Sequence, residues 1–215
     1  MPLLMELAER RRDAKPGYID RIAQAAQRLE AAGIPQGIKG FGSVAPDFAL
    51  PMLQGGSVVL STLLRAGPVV LSFYRGEWCP FCQAELDALL IAQPAMERLG
   101  AALLLISPER PSQQLALRVA RLGARAHLIE DAALGVALTY GLVYRVPDVL
   151  RDFYLQSNPA LSRELEERAW LLPLPADFVI GQSGIVELSY VDADFTRRLD
   201  PDLIVETLER VVASM

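Results

Sequence analysis

Cys79 and Cys82 are the residues whose type and spacing most clearly allow chemistry. They follow the apolar run Val69–Tyr74, which reads as a buried strand, and Pro80 between them suits the first position of a helix. A helix start favours a thiolate, so we expect the pKa of Cys79 to lie below the ~8.5 of a free thiol. Residues three apart on a helix have Cβ atoms roughly 5–6 Å apart, which allows a disulfide. The spacing predicts a redox centre in which one thiol attacks and the other resolves.

Two other readings of the cysteine pair remain open. A zinc site needs two further ligands, and the single histidine, His127, lies 45 residues beyond Cys82. Two inert, buried cysteines are the second alternative. The strand, turn and helix around the pair argue against both readings. We also find no glycine-rich phosphate loop, so we expect neither a metal nor a cofactor.

Short apolar runs and helical patterns alternate around the pair. The predicted strands are Val58–Leu60, Val69–Tyr74, Ala101–Ile106, His127–Ile129, Asp177–Ile180 and Val186–Val191. The predicted helices are Pro80–Leu99, kinked or split at Pro94, then Pro111–Leu122, Asp131–Tyr140 and Pro201–Val212. A mostly helical insertion over residues 148–170 is broken at Asn158-Pro159, and Gln182-Ser183-Gly184 predicts a hairpin. This order predicts an α/β fold with a central mixed sheet flanked by helices.

The first 40 residues form a predicted N-terminal helical extension, and residues 41–215 form the domain proper. Apolar side chains at helical spacing define the helix, which Gly33 and Pro35 end. These side chains are Tyr18, Ile22, Ala25, Ala26 and Leu29. Their face either docks on the domain or forms a homodimer contact, and the sequence leaves both open.

Composition and charge exclude several classes of protein. The chain has 21 basic and 26 acidic residues and a net charge of -5, which argues against a nucleic-acid partner. No apolar stretch approaches the roughly 20 residues of a membrane helix. The N-terminus lacks the basic start and long apolar core of a signal peptide. We therefore expect a soluble, cytoplasmic protein, where a close cysteine pair is more often catalytic or metal-binding than structural.

The segment around the cysteines, Phe73–Leu86, resembles the active-site segment of the peroxiredoxin-like branch of the alkyl hydroperoxide reductase / thiol-specific antioxidant (AhpC/TSA) family. Further segments are similar to that family, namely Ala45–Leu50, Leu105–Glu109, Tyr140–Leu142, Leu174–Ile180 with Gly184, and Asp192–Arg198. The resemblance covers about residues 41–208. It implies a thioredoxin-like fold and a site at Cys79 and Cys82.

The resemblance is divided about which cysteine attacks. Peroxiredoxins carry a Pro, a Thr and the attacking Cys in one loop, and that pattern puts Cys82 in the attacking position, Arg75 at the Pro and Cys79 at the Thr. Their catalytic Arg corresponds to Pro175 here. Trp78 and the cysteines, taken with Pro175, look more like thioredoxin-type oxidoreductases, whose first cysteine attacks and faces a cis proline. That similarity implies a cis bond at Pro175.

Supporting roles follow from the same segment. Arg75 either stabilises a thiolate or peroxide oxygen or lies exposed after its strand, and the exposed position is the commoner case. Trp78 either shields the thiolate or fills the core. Pro80 starts the helix, and Pro175 suits the docking of a disulfide or thiol. Arg197 and Arg198 are expected to pair with Asp192, Asp194 or Asp200.

The leading functional hypothesis is a thiol peroxidase that reduces hydroperoxides and is recycled by an external thiol reductant such as a thioredoxin-like protein. The first alternative is a thiol–disulfide oxidoreductase acting on protein disulfides. The second is a non-catalytic redox sensor or interaction module. The missing Arg and Thr favour the first alternative, while the long flanking resemblance favours the peroxidase.

Overall fold

The computed structural model describes residues 2–34, 37–53 and 55–214. Its helices are α1 (Pro2–Arg12), α2 (Tyr18–Ala31), α3 (Leu60–Leu64), α4 (Pro80–Arg98), α5 (Gln113–Arg121), α6 (Gly135–Thr139), α7 (Asp148–Ser157), α8 (Pro159–Glu167) and α9 (Pro201–Ala213). Its strands are β1 (Ala49–Pro51), β2 (Ser57–Val59), β3 (Val69–Phe73), β4 (Ala102–Ser107), β5 (Ala126–Glu130), β6 (Val143–Arg145), β7 (Leu171–Pro173), β8 (Ala176–Ile180) and β9 (Val186–Val191).

A five-stranded mixed sheet in the order β5-β4-β3-β8-β9 forms the centre of the fold. The central strand β3 runs parallel to β4 and antiparallel to β8, and every residue in it is buried. Alternate side chains of β3 enter different hydrophobic clusters: Val70 packs on one face, while Val69, Leu71 and Phe73 pack on the other. A strand buried on both faces needs a continuous apolar run, as this sequence provides.

Helices cover both faces of the sheet, which confirms the predicted architecture. The cluster around Val70 takes side chains from α1, α2, α4, α5, α7, α8 and α9, whereas α3 and α6 cover the opposite face. The predicted hairpin is confirmed, because β8 and β9 pair antiparallel across residues 181–185. The predicted break at Asn158-Pro159 is confirmed as well: α7 ends at Ser157, and the Asn158 side chain caps α8 by accepting from Leu161 N at 3.2 Å.

Several elements differ from the sequence expectation. Helix α1 was not predicted, because only Leu3 and Leu7 of its apolar residues are buried and these make a narrow stripe. The small sheets β1–β2 and β6–β7 were also not predicted as paired strands. Helix α6 spans only Gly135–Thr139, half of the expected length. Of the kink or split expected at Pro94, the split was wrong: α4 runs on through this proline, whose ring is exposed, because one missing main-chain hydrogen bond does not end a 19-residue helix.

The N-terminal helices pack onto the same side of the sheet as the 148–170 segment. Helix α2 confirms the predicted helix, and the ring of Tyr18 at its start stacks on Phe153 of α7 with centroids 4.5 Å apart. The expected stop at Pro35 falls outside the described residues. Within the described part of the chain, no helix is both long and apolar enough to span a bilayer.

Candidate active site

Cys79 lies where the loop after β3 becomes helix α4. It is the N-cap residue of α4 with extended backbone angles, and Pro80 takes the first helical position, as the sequence predicted. The Cys79 N–H donates to Gly76 O at 3.2 Å and closes the loop. Gly76 has a φ of 151°, and a Cβ at this position would collide with the Glu109 carboxylate and the Trp78 indole. The loop therefore requires glycine here.

Two carboxylates tie this loop to the segment that follows β4. Glu109 accepts the Glu77 N–H at 3.2 Å. The Glu77 carboxylate accepts from Ser112 N at 2.8 Å and from Ser112 Oγ at 2.7 Å. The segment before Cys79 is thus tied to the residues that follow β4, which fixes where the thiol lies relative to the sheet.

Both thiols are free and completely buried. Arg75 is also completely buried, so the expectation of an exposed arginine after the strand was wrong. Its Nη1 donates to Cys79 Sγ at 3.9 Å and its Nη2 donates to the Tyr154 hydroxyl at 2.7 Å. In the described part of the chain, Arg75 makes no salt bridge to a carboxylate. Its guanidinium lies 3.8 Å from the Phe195 ring centre and 4.7 Å from that of Trp78, which is the packing that encloses it.

The pKa of Cys79 lies well below its ordinary value. Burial raises the pKa, but hydrogen bonds from the Cys82 thiol and N–H, together with the charges of Arg75 and Arg198, outweigh burial. Burial raises the pKa of Tyr18 and of Tyr144, so both neighbouring phenols keep their protons. A thiolate at Cys79 supplies the negative charge that Arg75 otherwise lacks.

Cys82, one helical turn further, is surrounded differently. Burial raises its pKa well above the ordinary value, and its hydrogen bond to Cys79 and the negative charge on that residue raise it further. Arg198 opposes this effect: its Nη2 donates to Cys82 Sγ at 3.4 Å and its Nη1 donates to Glu85 Oε2 at 3.3 Å. The Arg198–Glu85 ion pair is almost completely buried. Cys82 is therefore the thiol that retains its proton.

A second buried carboxyl lies near the Arg198–Glu85 pair. Asp177 lies on β8, and burial raises its pKa to about 6, against the effects of Ser72 and Arg198. Burial also raises the pKa of Glu85 well above its usual value, and the Asp177 charge adds to that increase. The Cys82 side of the site thus holds two carboxyl groups for one arginine.

Pro175 lies at the same end of the sheet as the cysteine loop. Ala176, the next residue, pairs with Phe73 at the end of β3, and Pro175 is buried. Its peptide bond is trans, since the described residues contain no cis peptide bond. The expectation of a cis bond was wrong, and trans is the ordinary preference of an X–Pro bond by about 0.5–1 kcal/mol. Trp78 is partly buried and packs edge-on against Tyr154.

The sequence reasoning missed most of the residues that surround the two sulfurs. Arg197 contacts Asp192 and Asp194 as expected, but Arg198 turns inward to Glu85, so its expected pairing with one of the nearby aspartates was wrong. A signal for Glu85 was present: it stands three residues after Cys82 among buried residues of α4, so a charge there needs a partner. Tyr18 and Tyr154 gave no comparable signal, because aromatic residues on amphipathic helices usually serve packing.

Metal binding finds no support in the arrangement of side chains. Over residues 2–34, 37–53 and 55–214, no group of three or more His, Cys, Asp or Glu side chains is placed to hold a metal ion. His127 lies half-buried in β5, with its Nδ1 3.3 Å from Met52 Sδ.

Comparison with protein families agrees with the resemblance seen in the sequence. The model of the AhpC/TSA family matches residues 41–189. The comparison with curated proteins returned no significant match.

Solved structures give the fold. The peroxidoxin BcpB of Mycobacterium tuberculosis is 23% identical with a TM-score of 0.59, and the match covers 80% of this chain and 97% of that one. A peroxiredoxin 6 of Arenicola marina is 18% identical with a TM-score of 0.59, covering 79% and 71%. A protein described as a candidate thiol:disulfide interchange protein DsbE of Chlorobium tepidum is 20% identical with a TM-score of 0.54, covering 80% and 97%. The predicted thioredoxin-like fold is confirmed.

Proposed function

The chain belongs to the AhpC/TSA family, and on that premise we propose that it is a thiol peroxidase in which Cys79 attacks a hydroperoxide and Cys82 resolves the product. Family membership supports a thiol-based oxidoreductase in general. The choice of peroxide as oxidant and of Cys79 as nucleophile is our proposal.

The observation that carries the proposal is the environment of Arg75. This arginine is fully buried, and its hydrogen-bond partners among the described residues are the Cys79 sulfur and the Tyr154 hydroxyl. A buried cation without an anion is costly, so the site is most stable when Cys79 is a thiolate. The thiolate is the form of cysteine that reacts.

The first step transfers one oxygen atom to sulfur. The Cys79 thiolate attacks the terminal oxygen of ROOH, the O–O bond breaks, and the bonding pair leaves with RO⁻. Cys79 becomes a sulfenic acid, which retains the hydrogen of the attacked oxygen. The alkoxide takes a proton from the Tyr18–Tyr154 hydroxyl pair, which solvent restores, and leaves as ROH. Arg75 lies where it stabilises the charge that moves from sulfur to oxygen.

The second step uses Cys82. Its thiol attacks the sulfur of the Cys79 sulfenic acid, so the disulfide forms and water leaves. Arg198 lies 3.4 Å from Cys82 Sγ and favours the thiolate that this step needs. Because the resolving thiol is one helical turn away, we expect little oxidation of Cys79 to sulfinic acid.

Recycling the site needs two electrons from outside the chain. Two equivalents of an external thiol, or one dithiol of a thioredoxin-like protein, reduce the disulfide by exchange and become a disulfide themselves. A cytoplasmic location suits this cycle, because thiol reductants keep that compartment reducing.

A second candidate function has one observation in its favour. The lowered pKa belongs to the first cysteine of the motif, which is the attacking residue in thiol–disulfide oxidoreductases. The complete burial of both sulfurs argues against it, since a protein disulfide must reach the attacking sulfur directly. Trans Pro175 also removes the feature that suggested disulfide docking.

Stopped-flow measurements on the reduced protein distinguish these functions. Hydrogen peroxide and a protein disulfide are each mixed with the wild type, Cys79→Ser and Cys82→Ser. We expect Cys79→Ser to lose peroxide reduction and Cys82→Ser to retain a single turnover that ends in sulfenic acid. Rapid disulfide exchange with slow peroxide reduction supports the oxidoreductase, and slow reaction with both supports a sensor. Peroxide reduction by a variant that lacks both cysteines rejects the proposal.

A further inference from the structure

A cavity of about 420 Å³ opens beside the start of α4. Its wall is mainly apolar and aromatic, and we call it the aromatic pocket, defined by Tyr18, Trp78, Phe81, Phe153, Tyr154 and Leu161. Its volume falls within the ~300–1,000 Å³ of small-molecule sites. Tyr18 comes from the N-terminal helices, outside the matched family segment, and three of the other residues come from α7 and α8.

The aromatic pocket is lined by residues adjacent to Cys79. Trp78 and Phe81 lie on either side of Cys79 in the sequence, and both line the pocket. Tyr18 and Tyr154 both line the pocket, and their hydroxyls lie 3.2 Å apart. The second of these hydroxyls accepts from Arg75, whose other Nη donates to Cys79. A chain of polar groups therefore runs from the pocket wall to the sulfur.

The hydroxyl pair offers a match for a hydroperoxide group. The –OOH group both donates and accepts hydrogen bonds, and a tyrosine hydroxyl does the same. A hydroperoxide inserted between the Tyr18 and Tyr154 hydroxyls would exchange one hydrogen bond for two and point its oxygens towards Arg75. Complete burial of both sulfurs means that a substrate must approach through such a packed layer.

The rest of the lining indicates what the hydroperoxide carries. Rings of Tyr18 and Phe153 already stack on each other at this wall, and Trp78 meets Tyr154 edge-on, so further ring faces and edges suit the pocket. The charged residues at the rim balance in number: Arg10 is paired with Glu6, while Lys15, which donates to Ser157 O at 3.4 Å, and Asp13 carry opposite charges. The pocket thus favours an uncharged, ring-bearing molecule.

We propose that the aromatic pocket binds the ring of an uncharged arylalkyl hydroperoxide and presents its –OOH group to Cys79 through the Tyr18–Tyr154 hydroxyl pair. The inference rests on the proposed peroxidase function and adds a binding site and a substrate preference to it. It assigns the N-terminal helices and the 148–170 segment to substrate selection.

Ala14 allows the pocket to be filled without touching the reacting groups. It lines the pocket from the turn between α1 and α2. The variant Ala14→Phe places a ring where the substrate ring would bind. Ala31→Phe is the matched control, since Ala31 is exposed at the far end of α2 and lines none of the cavities described.

The experiment measures kcat/KM of each protein for hydrogen peroxide, tert-butyl hydroperoxide and cumene hydroperoxide. Burying a ring is worth enough free energy for at least about a tenfold preference, so we expect the wild type to favour cumene over tert-butyl hydroperoxide by that factor. Ala14→Phe should lower the ratio of cumene to hydrogen peroxide by about tenfold, and Ala31→Phe should leave this ratio unchanged. A wild type without the preference, or an unchanged ratio in Ala14→Phe, overturns the inference.

Binding without turnover separates this inference from the proposed function. Cumyl alcohol, the product, is titrated into Cys79→Ser by calorimetry, with and without Ala14→Phe. Saturable binding that Ala14→Phe weakens supports the pocket even where no peroxide is reduced, and in that case the proposed function alone fails. Reduction of all three peroxides at similar rates without binding of cumyl alcohol rejects the pocket and retains the peroxidase.

Discussion

Cys79 and Cys82 each lie beside a buried arginine, yet the two arginines have different partners. Arg75 bonds a sulfur and a hydroxyl, and no carboxylate pairs with it in the described part of the chain. Arg198 bonds the other sulfur and also Glu85, and the charge of Asp177 helps to raise the Arg198 pKa. The same residue type therefore acts differently on the two thiols.

The difference explains how neighbouring thiols acquire opposite properties. On the Cys79 side the positive charge is uncompensated, which favours a thiolate. On the Cys82 side the carboxyl groups already offset the arginine, so burial and the negative charge of Cys79 dominate and the thiol keeps its proton. The helix start adds to this separation, because Cys79 caps the helix and Cys82 lies inside its first turn. The division of labour between attack and resolution follows from this asymmetry.

The largest expected effect comes from removing the carboxylate of the buried ion pair beside Cys82. Glu85→Ala leaves Arg198 buried without its ion-pair partner, so we expect the free energy of unfolding to fall by about 3–5 kcal/mol. Glu97→Ala, also on α4, is the control, since Glu97 pairs with Arg125 at the surface and should lose less than about 1 kcal/mol. Urea denaturation of both variants measures the difference, and equal losses would contradict the special role of the buried pair.

The pH dependence of stability tests Asp177. Burial raises its folded-state pKa to about 6, above its ordinary value of 3.8, so between these values the folded protein holds a proton that the unfolded chain releases. The protonated Asp177 carboxyl therefore adds to the free energy of unfolding at low pH, and this contribution is lost as the pH rises through about 6.

The variant Asp177→Asn removes that loss. From pH 4 to pH 7, we expect the wild type to lose about 3 kcal/mol relative to Asp177→Asn, at roughly 1.4 kcal/mol for each pKa unit. Asp152→Asn, at an exposed position of α7, should follow the wild type. Denaturation curves at several pH values measure this, and parallel profiles for Asp177→Asn and the wild type would show that Asp177 titrates normally.

Arg75→Met tests the opposite side. Methionine retains apolar packing against Phe195 but removes the charge, so the pKa of Cys79 should rise and the rate of peroxide reduction at neutral pH should fall roughly 10- to 100-fold. Ultraviolet titration of the thiolate measures the pKa, and stopped flow measures the rate. Arg75→Lys retains a charge and should recover part of the rate. An unchanged Cys79 pKa in Arg75→Met would show that Arg75 does not stabilise the thiolate.

The main-chain structure of this site could be predicted from the sequence, whereas most side chains around the two sulfurs could not. The run Val69–Phe73 and the Cys-Pro-x-Cys segment specify a buried strand, a turn and a helix start through local patterns, and these were predicted correctly. Arg75 and Arg198 look like ordinary surface residues in the sequence. Their burial depends on Tyr154 and Glu85, which lie 79 and 113 residues away, and local patterns do not record such contacts.

The smallest expected effect concerns the Tyr154 hydroxyl, which accepts a hydrogen bond from Arg75. Tyr154→Phe deletes the acceptor 2.7 Å from Nη2 and leaves that buried N–H without a partner, so we expect a loss of about 1–2 kcal/mol in the free energy of unfolding. Tyr144→Phe is the matched control: this tyrosine is equally buried near Arg75, but its hydroxyl has no hydrogen-bond partner among the described residues, so its removal should cost nothing or stabilise the fold. Urea denaturation of the two variants compares a hydroxyl that is hydrogen-bonded to a charged group with one that has no such bond. Equal stabilities would mean that Arg75 is held by Cys79 and its ring contacts alone, and would make the Cys79 side depend still more on its thiolate.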